Sequence, residues 1–375
     1  MIQVREPTLP PDASGGESAG SSLGLLDDVT IALTGAERDA VHEHFAAGAR
    51  AMKDRPLDDE ELLTAAELSG NHLPDRILQA LRQFRRHGND AGVVLLRNMP
   101  TDTDIPATPV NGFLPDWDGI PVATFAQLAV ASAVGDVIAY ADEKAGRIVQ
   151  DVVPVEGAEE RQENSGTVYL ELHTEDGFHP HKPDFITLMC LRPDRERTAY
   201  TVVGAAARVL PLLSEETTLL LRQPLFRIRV SSSFGGGSTD LLTDPVPVLS
   251  GAPAAPELLA DFHAMEPLRD DARAALEELK SAFLATLRGA VLDVGDILVV
   301  DNRTAIHGRS PFAARFDGTD RWLRRCFAVL DIRRSRVARA PRSRVCAPLT
   351  TIGLSDAPAG LPPTTRIEDP ACTAS

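Results

Sequence analysis

The chain has 375 residues, and its 38 Lys and Arg against 54 Asp and Glu give a formal net charge of −16. Such an acidic chain is not expected to bind nucleic acid or anionic membranes, because both need clustered basic side chains. Hydrophobic residues make up 43% of the sequence, which can bury a core and argues against wholesale disorder. None of the four cysteines forms a CxxC pair, which argues against a zinc ribbon, a thioredoxin-type site and a disulfide scaffold.

Neither a membrane span nor an export signal is visible in the sequence. It has no run of about 18 apolar residues, so no transmembrane helix is expected. Residues 1–24 are rich in Pro, Gly and Ser and lack the apolar stretch of a signal peptide. We therefore expect a cytoplasmic protein with a flexible tail at residues 1–27.

Helical patterns dominate residues 28–90. Residues 33–52 carry Thr34 and Glu37 at capping-box spacing, and the apolar residues that follow recur on one face. The other predicted helices of the chain span residues 58–68, 74–86, 124–139, 214–222 and 270–291.

Short strand patterns are characteristic of residues 91–340. Some runs are continuously apolar, which is typical of buried strands, and others alternate apolar with polar residues. The predicted strands span residues 92–96, 148–155, 167–173, 184–191, 199–203, 226–230, 297–300 and 326–330. Many short strands wrapped by a few helices predict an α+β fold with a β-sandwich or a jelly roll as its core, and we expect the jelly roll, a double-stranded β-helix.

We expect a single domain at residues 28–345, made of the helical part and the jelly-roll core. The Pro- and Ala-rich residues 346–375 are expected to form a loose tail. A Ser- and Gly-rich loop at residues 231–238 follows one predicted strand. Loops of this composition are mobile and often act as lids over a site.

Residue types that bind metal occur where predicted strands end. His173 and Glu175 are two residues apart at such an end, so an extended backbone turns them to the same side. His307 follows the buried strand at 297–300. Two histidines and one carboxylate form the facial triad that holds non-haem Fe(II) and leaves positions open for other ligands. A double-stranded β-helix would bring the distant segments together, whereas two unrelated core histidines are the alternative.

Arg321 and Arg325 follow these residues with a spacing of four. Where the chain leads into a strand, both turn one way and Arg324 turns the other. Two arginines are costly to bury unpaired beside a metal, so each is expected to bind a carboxylate, in the bidentate geometry that guanidinium favours. A dicarboxylate cosubstrate and an amino-acid substrate would supply those carboxylates. A solvated basic edge is the alternative interpretation.

Other classes of function fit the sequence less well. A zinc hydrolase could use two histidines and one glutamate, but no HExxH helix is present to place them. A non-catalytic β-barrel that binds small molecules would not need two late arginines together with a facial triad. A nucleotide-binding enzyme is disfavoured, because neither a GxGxxG nor a P-loop pattern occurs.

Three segments resemble the clavaminate synthase-like branch of Fe(II)/2-oxoglutarate-dependent oxygenases, especially its free-amino-acid β-hydroxylases. They are residues 149–154, residues 172–176 with 183–185, and residues 301–323. The resemblance covers roughly residues 91–340 and implies Fe(II), O2 and 2-oxoglutarate. It also implies the reaction, in which 2-oxoglutarate is converted to succinate and CO2 while an amino acid is hydroxylated at Cβ.

The resemblance assigns the metal and cosubstrate roles residue by residue. His173, Glu175 and His307 would ligate iron. Arg321 would bind the far carboxylate of 2-oxoglutarate, assisted by Thr201.

The resemblance also implies the substrate contacts. Arg325 would clamp the α-carboxylate of the amino acid, and Glu143 and Asn164 match positions that hold the amino acid in the asparagine oxygenase of lipopeptide antibiotic pathways. Asp261 matches a contact on the lid side of that enzyme. The arginine hydroxylase of viomycin biosynthesis differs, with Gln in place of Glu143 and an acidic residue in place of His263, so a guanidinium substrate would lose a partner here.

These residues favour L-asparagine as the substrate, since Asn164 could exchange hydrogen bonds with a side-chain amide. The product would be 3-hydroxyasparagine, for non-ribosomal peptide or other secondary metabolism. Glutamine, citrulline, lysine and arginine are alternatives, and so is an amino acid on a carrier protein, although a thioester has no free carboxylate for Arg325. Ordinary loop-capping roles for Glu143, Asn164 and Asp261 are the simplest competing interpretation.

Overall fold

The computed structural model describes residues 23–115, 117–157, 168–234, 236 and 241–354. Its α-helices are α1 (Gly35–Ala51), α2 (Glu60–Ser69), α3 (Asp75–His87), α4 (Pro121–Val134), α5 (Ala206–Val209), α6 (Glu215–Leu221), α7 (Asp270–Thr286) and α8 (Leu349–Ile352). Short 3-10 helices span Asp27–Val29, Gly70–His72, Trp117–Gly119, Lys144–Gly146, Leu210–Leu212 and Ile332–Ala338. In this described part of the chain, no helix is long and apolar enough to cross a membrane.

The first eight strands are β1 (Thr30–Ala32), β2 (Val93–Arg97), β3 (Asp136–Tyr140), β4 (Val149–Val152), β5 (Leu170–His173), β6 (Phe185–Arg192), β7 (Tyr200–Ala205) and β8 (Phe226–Ile228). The others are β9 (Leu249–Ala252), β10 (Ala255–Leu258), β11 (Met265–Pro267), β12 (Arg288–Val291), β13 (Ile297–Asp301), β14 (Ala305–Arg309), β15 (Trp322–Val329) and β16 (Val345–Cys346). The predicted capping box at Thr34 and Glu37 is formed at the start of α1.

Two sheets form the core of the protein. The larger runs in the order β1-β2-β13-β6-β15-β3-β16, and β4 pairs with the first half of β15 while β3 pairs with its second half. The smaller runs in the order β12-β7-β14-β5. Within these sheets only β1–β2 and β3–β16 are parallel, among the strands that the structure describes. Strands distant in sequence lie side by side, and the predicted α+β fold with a double-stranded β-helix core is confirmed.

Buried apolar clusters join these layers. Helices α1–α4 cover the outer face of the larger sheet, where Phe125 and Val299 lie in one cluster. The two sheets face each other across a second cluster that contains Leu298 and Val203. Helices α5–α7 cover the smaller sheet, with Phe283 in the third cluster. Leu298 and Val299 are successive residues of β13 and point to opposite faces, as the alternation of a strand requires.

Two predicted helices are shorter than expected, because each is followed at once by a strand. The structure ends α4 before Gly135, and the predicted continuation to residue 139 is strand β3. A Cβ at Gly135 would lie only 2.6 Å from the carbonyl oxygen of Val329, so glycine permits the close approach to β15. The structure likewise ends α7 at Thr286, and the predicted continuation to residue 291 is strand β12.

The ends of the described chain are packed where loose tails are predicted. Leu26 is buried in the cluster between the sheets. β16 joins the larger sheet beside β3, and α8 adds the buried Leu349 to the same cluster. The expectation of a loose tail is therefore wrong for residues 346–354, where a two-residue strand is too short to show any periodicity. The outer parts of both predicted tails lie outside the described residues, and the single-domain organisation stays a prediction.

Candidate active site

The two histidines of the predicted triad face each other across a pair of strands. β14 runs antiparallel to β5, and the register places His307 opposite His173. Their ring centroids are 4.5 Å apart. The sequence placed His307 after the strand at 297–300, but it lies in the middle of a strand of its own, which only the turn 302–304 separates from β13.

Glu175 completes a group of three ligand types. Its Oε2 atom lies 3.2 Å from Nε2 of His307 and 4.0 Å from Nε2 of His173. One potential ligand atom from each residue lies within 4.8 Å of the other two. Nδ1 of His173 is 2.8 Å from the carbonyl oxygen of Glu171, so the proton is held on Nδ1 and Nε2 keeps its lone pair.

This set of donors fits Fe(II). Two imidazoles and one carboxylate on one side of a metal are typical of non-haem iron oxygenases. Burial lowers the pKa of His307, as does the neighbouring His173, and this favours the neutral ring that a ligand must present. Burial alone would raise the pKa of Glu175, but Arg325 and the hydrogen bond from His307 hold it well below its usual range, so the carboxylate is ionised. These three residues could therefore hold the metal.

Arg325 links this group to the residues predicted to bind substrate. Nη1 donates to Oε1 of Glu175 at 2.6 Å, and Nη2 donates to Gln150 at 2.6 Å and to Glu143. Burial alone would lower the pKa of Arg325, but Glu143 and Glu175 raise it above its usual value. Carboxylate oxygens of Glu143, Glu175 and Asp176 lie within 4.8 Å of one another. The guanidinium therefore supplies the positive charge that lets three acidic side chains share one space.

Arg321 directly precedes β15, the strand that carries Arg325, and is 6% exposed. Its Nη2 donates to Oγ1 of Thr201 at 3.1 Å, so the two residues predicted to act together are in contact. Burial lowers the pKa of Arg321. Among the described residues, no carboxylate forms an ion pair with it. A buried guanidinium with a hydroxyl as its hydrogen-bond partner can accept an anion from outside the protein.

Arg324 points away from this site, as the alternation predicts. It forms an ion pair with Asp151 at 3.1 Å, and both side chains are at most 2% exposed. Asp151 also accepts from Nε1 of Trp322 at 2.8 Å and from the main-chain N–H of Leu114 at 2.6 Å. The network joins β15 to β4 and to the loop before α4, so Asp151 has a structural role.

The remaining predicted substrate residues have different outcomes. Asn164 lies outside the described residues. The backbone of Asp261 forms an isolated β-bridge with His173, which places Asp261 beside β5, the strand that ends at His173. Its Oδ1 accepts from the N–H groups of His263 and Ala264 at 2.9 and 2.8 Å, so the side chain caps a turn there.

Part of the predicted lid loop lies close to this region. Residues 231–234 and 236 are described, and Phe234 is buried. Its ring centroid is 5.9 Å from that of Tyr140 and 5.7 Å from that of His179. Tyr140 ends β3, three residues before Glu143, so this part of the loop packs on the strand that leads to the site.

Two buried residues of the site carry no assigned role in the sequence analysis. Gln150 lies opposite Arg325 in the pairing of β4 with β15 and accepts from its guanidinium. Asn302 lies in the turn before β14, and its side chain bonds the main chain of Glu175. Strand register would have identified Gln150, whereas nothing local distinguishes Asn302 from any turn asparagine.

Comparisons with known proteins agree with this geometry. A family model described as "Taurine catabolism dioxygenase TauD, TfdA family" matches residues 53–327. The chain is 39% identical over 323 residues to the L-asparagine oxygenase of Streptomyces coelicolor, covering 86% of this chain and 96% of that protein. It is 36% identical over 285 residues to the L-lysine 3-hydroxylase of Catenulispora acidiphila, covering 75% and 79%.

Solved structures extend the similarity to the whole fold. Asparagine oxygenase in complex with Fe(II), 2S,3S-3-hydroxyasparagine and succinate matches with a TM-score of 0.81 at 38% identity, covering 85% of this chain and 99% of that one. The non-heme iron oxygenase OrfP with Fe and alpha-ketoglutaric acid matches with a TM-score of 0.75 at 31% identity, covering 84% and 99%. The predicted resemblance is confirmed. The chain belongs to the TauD/TfdA family and is an Fe(II)/2-oxoglutarate-dependent dioxygenase.

Proposed function

We propose that the protein hydroxylates free L-asparagine at Cβ and releases 3-hydroxyasparagine, succinate and CO2. The observation that carries the proposal is the double contact of Glu175: one oxygen faces the two histidines and the other accepts from Arg325. A carboxylate bound by Arg325 would thus lie next to the metal ligands. The similarity to the L-asparagine oxygenase of Streptomyces coelicolor supports asparagine as the amino acid.

The metal and the cosubstrate have separate sets of residues in this proposal. His173, Glu175 and His307 hold Fe(II), which when bound supplies the chemistry that activates O2. Arg321 and Thr201 bind the far carboxylate of 2-oxoglutarate. Arg321 is buried and has no carboxylate partner among the described residues, which supports this role because an anionic ligand would compensate its charge.

The amino acid is bound as a zwitterion. Arg325 exchanges its contact with Glu143 for the α-carboxylate of the substrate, and Glu143 then takes the ammonium group. The exchange conserves charge, since the zwitterion brings one negative charge for Arg325 and one positive charge for Glu143. Asn164 and Asp261 contact the side chain, and the bound substrate excludes water from the reacting carbon.

Lysine is the second candidate substrate, because the L-lysine 3-hydroxylase of Catenulispora acidiphila is 36% identical. Glutamine, citrulline, arginine and a carrier-bound amino acid are further alternatives with the same chemistry. We assign the reaction to non-ribosomal peptide or other secondary metabolism.

The test is succinate release under air with Fe(II), ascorbate and 2-oxoglutarate, against a panel of free L-amino acids. We expect the strongest signal with asparagine and a product one oxygen heavier by mass spectrometry. A stronger signal with lysine or glutamine would keep the chemistry and refute the choice of asparagine.

His307→Ala is expected to abolish substrate-dependent succinate release, whereas the exposed-site control His87→Ala retains it. Coupled turnover in His307→Ala would contradict the ligand assignment.

A further inference from the structure

The side-chain amide of Asn302 holds the main chain on both sides of Glu175. Its Oδ1 accepts from the N–H of Glu175 at 2.9 Å, and its Nδ2 donates to the carbonyl oxygen of Glu175 at 3.0 Å. Nδ2 also donates to the carbonyl oxygen of Pro183 at 2.9 Å. Asn302 is fully buried, at 0% exposed. Both peptide groups that flank the Glu175 side chain are therefore held by one residue.

The place of Asn302 in the chain connects the three proposed ligands. It lies in the turn between β13 and β14, and β14 carries His307 opposite His173. Its main-chain N–H donates to the carbonyl oxygen of Asp184 at 2.9 Å, and its carbonyl oxygen accepts from Nζ of Lys182 at 3.3 Å. The turn before β14 is thus hydrogen-bonded to both ends of the segment 175–184.

Glu175 lies in a part of the backbone that needs such support. Its carboxylate has two partners, with Arg325 at 2.6 Å on Oε1 and His307 at 3.2 Å on Oε2. The next residue, Asp176, has φ of 47°, in the left-handed region that is unfavourable for a residue other than glycine. A strained conformation of this kind persists only where the surroundings hold it, and the bonds from Asn302 supply that restraint.

We propose that Asn302 is a positioning residue for metal binding. It keeps the main chain of Glu175 fixed, so that the carboxylate stays in place for the metal whether or not a substrate carboxylate occupies Arg325. The inference rests on the proposed ligand set of His173, Glu175 and His307. Removal of groups that orient metal ligands lowers metal affinity roughly 10- to 100-fold in other proteins, and the same range is expected here.

The test is an anaerobic titration of the metal-free protein with Co(II), followed by visible absorption, so that no turnover is involved. We expect Asn302→Ala to raise the Kd for Co(II) roughly 10- to 100-fold. Gln127→Ala is the matched control: Gln127 is also fully buried, and its amide donates to the carbonyl oxygens of Thr187 and Arg324 at 3.2 and 2.8 Å. It should lower the melting temperature but leave the Kd for Co(II) unchanged.

The outcomes separate the inference from the ligand assignment. If Asn302→Ala binds Co(II) as wild type does while His307→Ala does not, the positioning role is overturned and the ligand set stands. If His307→Ala also binds as wild type does, the ligand set itself fails. An equal rise in Kd for Gln127→Ala would overturn the positioning role too, because general loosening would then be the cause. Should Asn302→Ala fail to fold, Asn302→Ser replaces it, with a Kd at least several-fold above wild type expected and an unchanged Kd overturning the proposal.

Discussion

Arg321 and Arg324 lie three residues apart and are both buried, yet methionine should have opposite effects at the two positions. Arg324 is paired with Asp151 at 3.1 Å, and both are at most 2% exposed. Arg321 is 6% exposed, donates to Thr201, and forms no ion pair with any described residue. Methionine fills a similar length in each case and removes the positive charge.

The stability effect follows from what each substitution leaves behind. Arg324→Met leaves the carboxylate of Asp151 buried without its counter-ion, and breaking one partner of a buried pair costs about 3–5 kcal/mol. Because Asp151 keeps its bonds from Trp322 and Leu114, we expect the lower end, about 3 kcal/mol of unfolding free energy. Arg321→Met removes a desolvated charge for which the described part of the chain offers no ion-pair partner, so its unfolding free energy should equal or exceed that of wild type.

The effect on activity is reversed. If Arg321 binds 2-oxoglutarate, Arg321→Met loses a charge-assisted contact of about 3 kcal/mol. The KM for 2-oxoglutarate should then rise about 100-fold, since each 1.4 kcal/mol is a factor of ten. The KM for the amino acid should stay the same. Arg324→Met should keep both KM values at temperatures where it is folded.

Urea unfolding and succinate release measure the two effects on the same preparations. An Arg321→Met protein that is as destabilised as Arg324→Met, with an unchanged KM for 2-oxoglutarate, would refute the reasoning. In that case Arg321 would be a structural residue, and its ion-pair partner would lie outside the described residues.

Further predictions concern pH and the neighbouring contacts. Burial, and then His181, lowers the pKa of His179 to about 3, below its value near 6.5 in unfolded chains. As the pH falls, His179 is therefore protonated in the unfolded state before it is protonated in the folded state, and the free energy of unfolding should fall between about pH 6.5 and pH 3. In urea unfolding, His179→Asn should reduce this dependence on pH, and an unchanged dependence would contradict the role of His179. Glu143→Gln should raise the KM for the amino acid about 10-fold, from about 1.5 kcal/mol of lost charge-assisted bonding, and an equal rise for 2-oxoglutarate would count against the assignment. Thr201→Val should raise the KM for 2-oxoglutarate about 5-fold, for one hydrogen bond of about 1 kcal/mol, in the same succinate assay.

The sequence was sufficient to predict several residues that the structure brings together around Glu175, but not the strand that holds one of them. Histidine and carboxylate types at strand ends, with arginines at a spacing of four, indicated the group around Glu175. β14 was missed, because it is five residues long, contains Gly308, and follows a turn directly after β13. Its pairing with β5 and β7 is long-range, and no local pattern reports such pairing.

The residues that support the site were hidden for a related reason. The side chain of Asn302 forms hydrogen bonds with main-chain atoms. A sequence does not distinguish an asparagine that makes such bonds from any other asparagine. Asp151 looked like a member of the family motif, and only the structure shows that it compensates Arg324 rather than touching the site. Residue types therefore predicted a candidate site, whereas only the tertiary contacts show which charged residues stabilise the fold.

On the proposed roles, the contacts of Arg325 favour a free amino acid over a carrier-bound one. Its guanidinium is already paired with Glu143 and Glu175, so a substrate must bring its own negative charge to replace Glu143 there. A free α-carboxylate does this, and Glu143 is then released for the ammonium group. A thioester brings no charge; Arg325 would keep Glu143, and the substrate ammonium would meet a carboxylate that is already neutralised. Binding of a carrier-bound substrate would thus lose both ionic contacts at once, a larger penalty than the loss of the carboxylate alone.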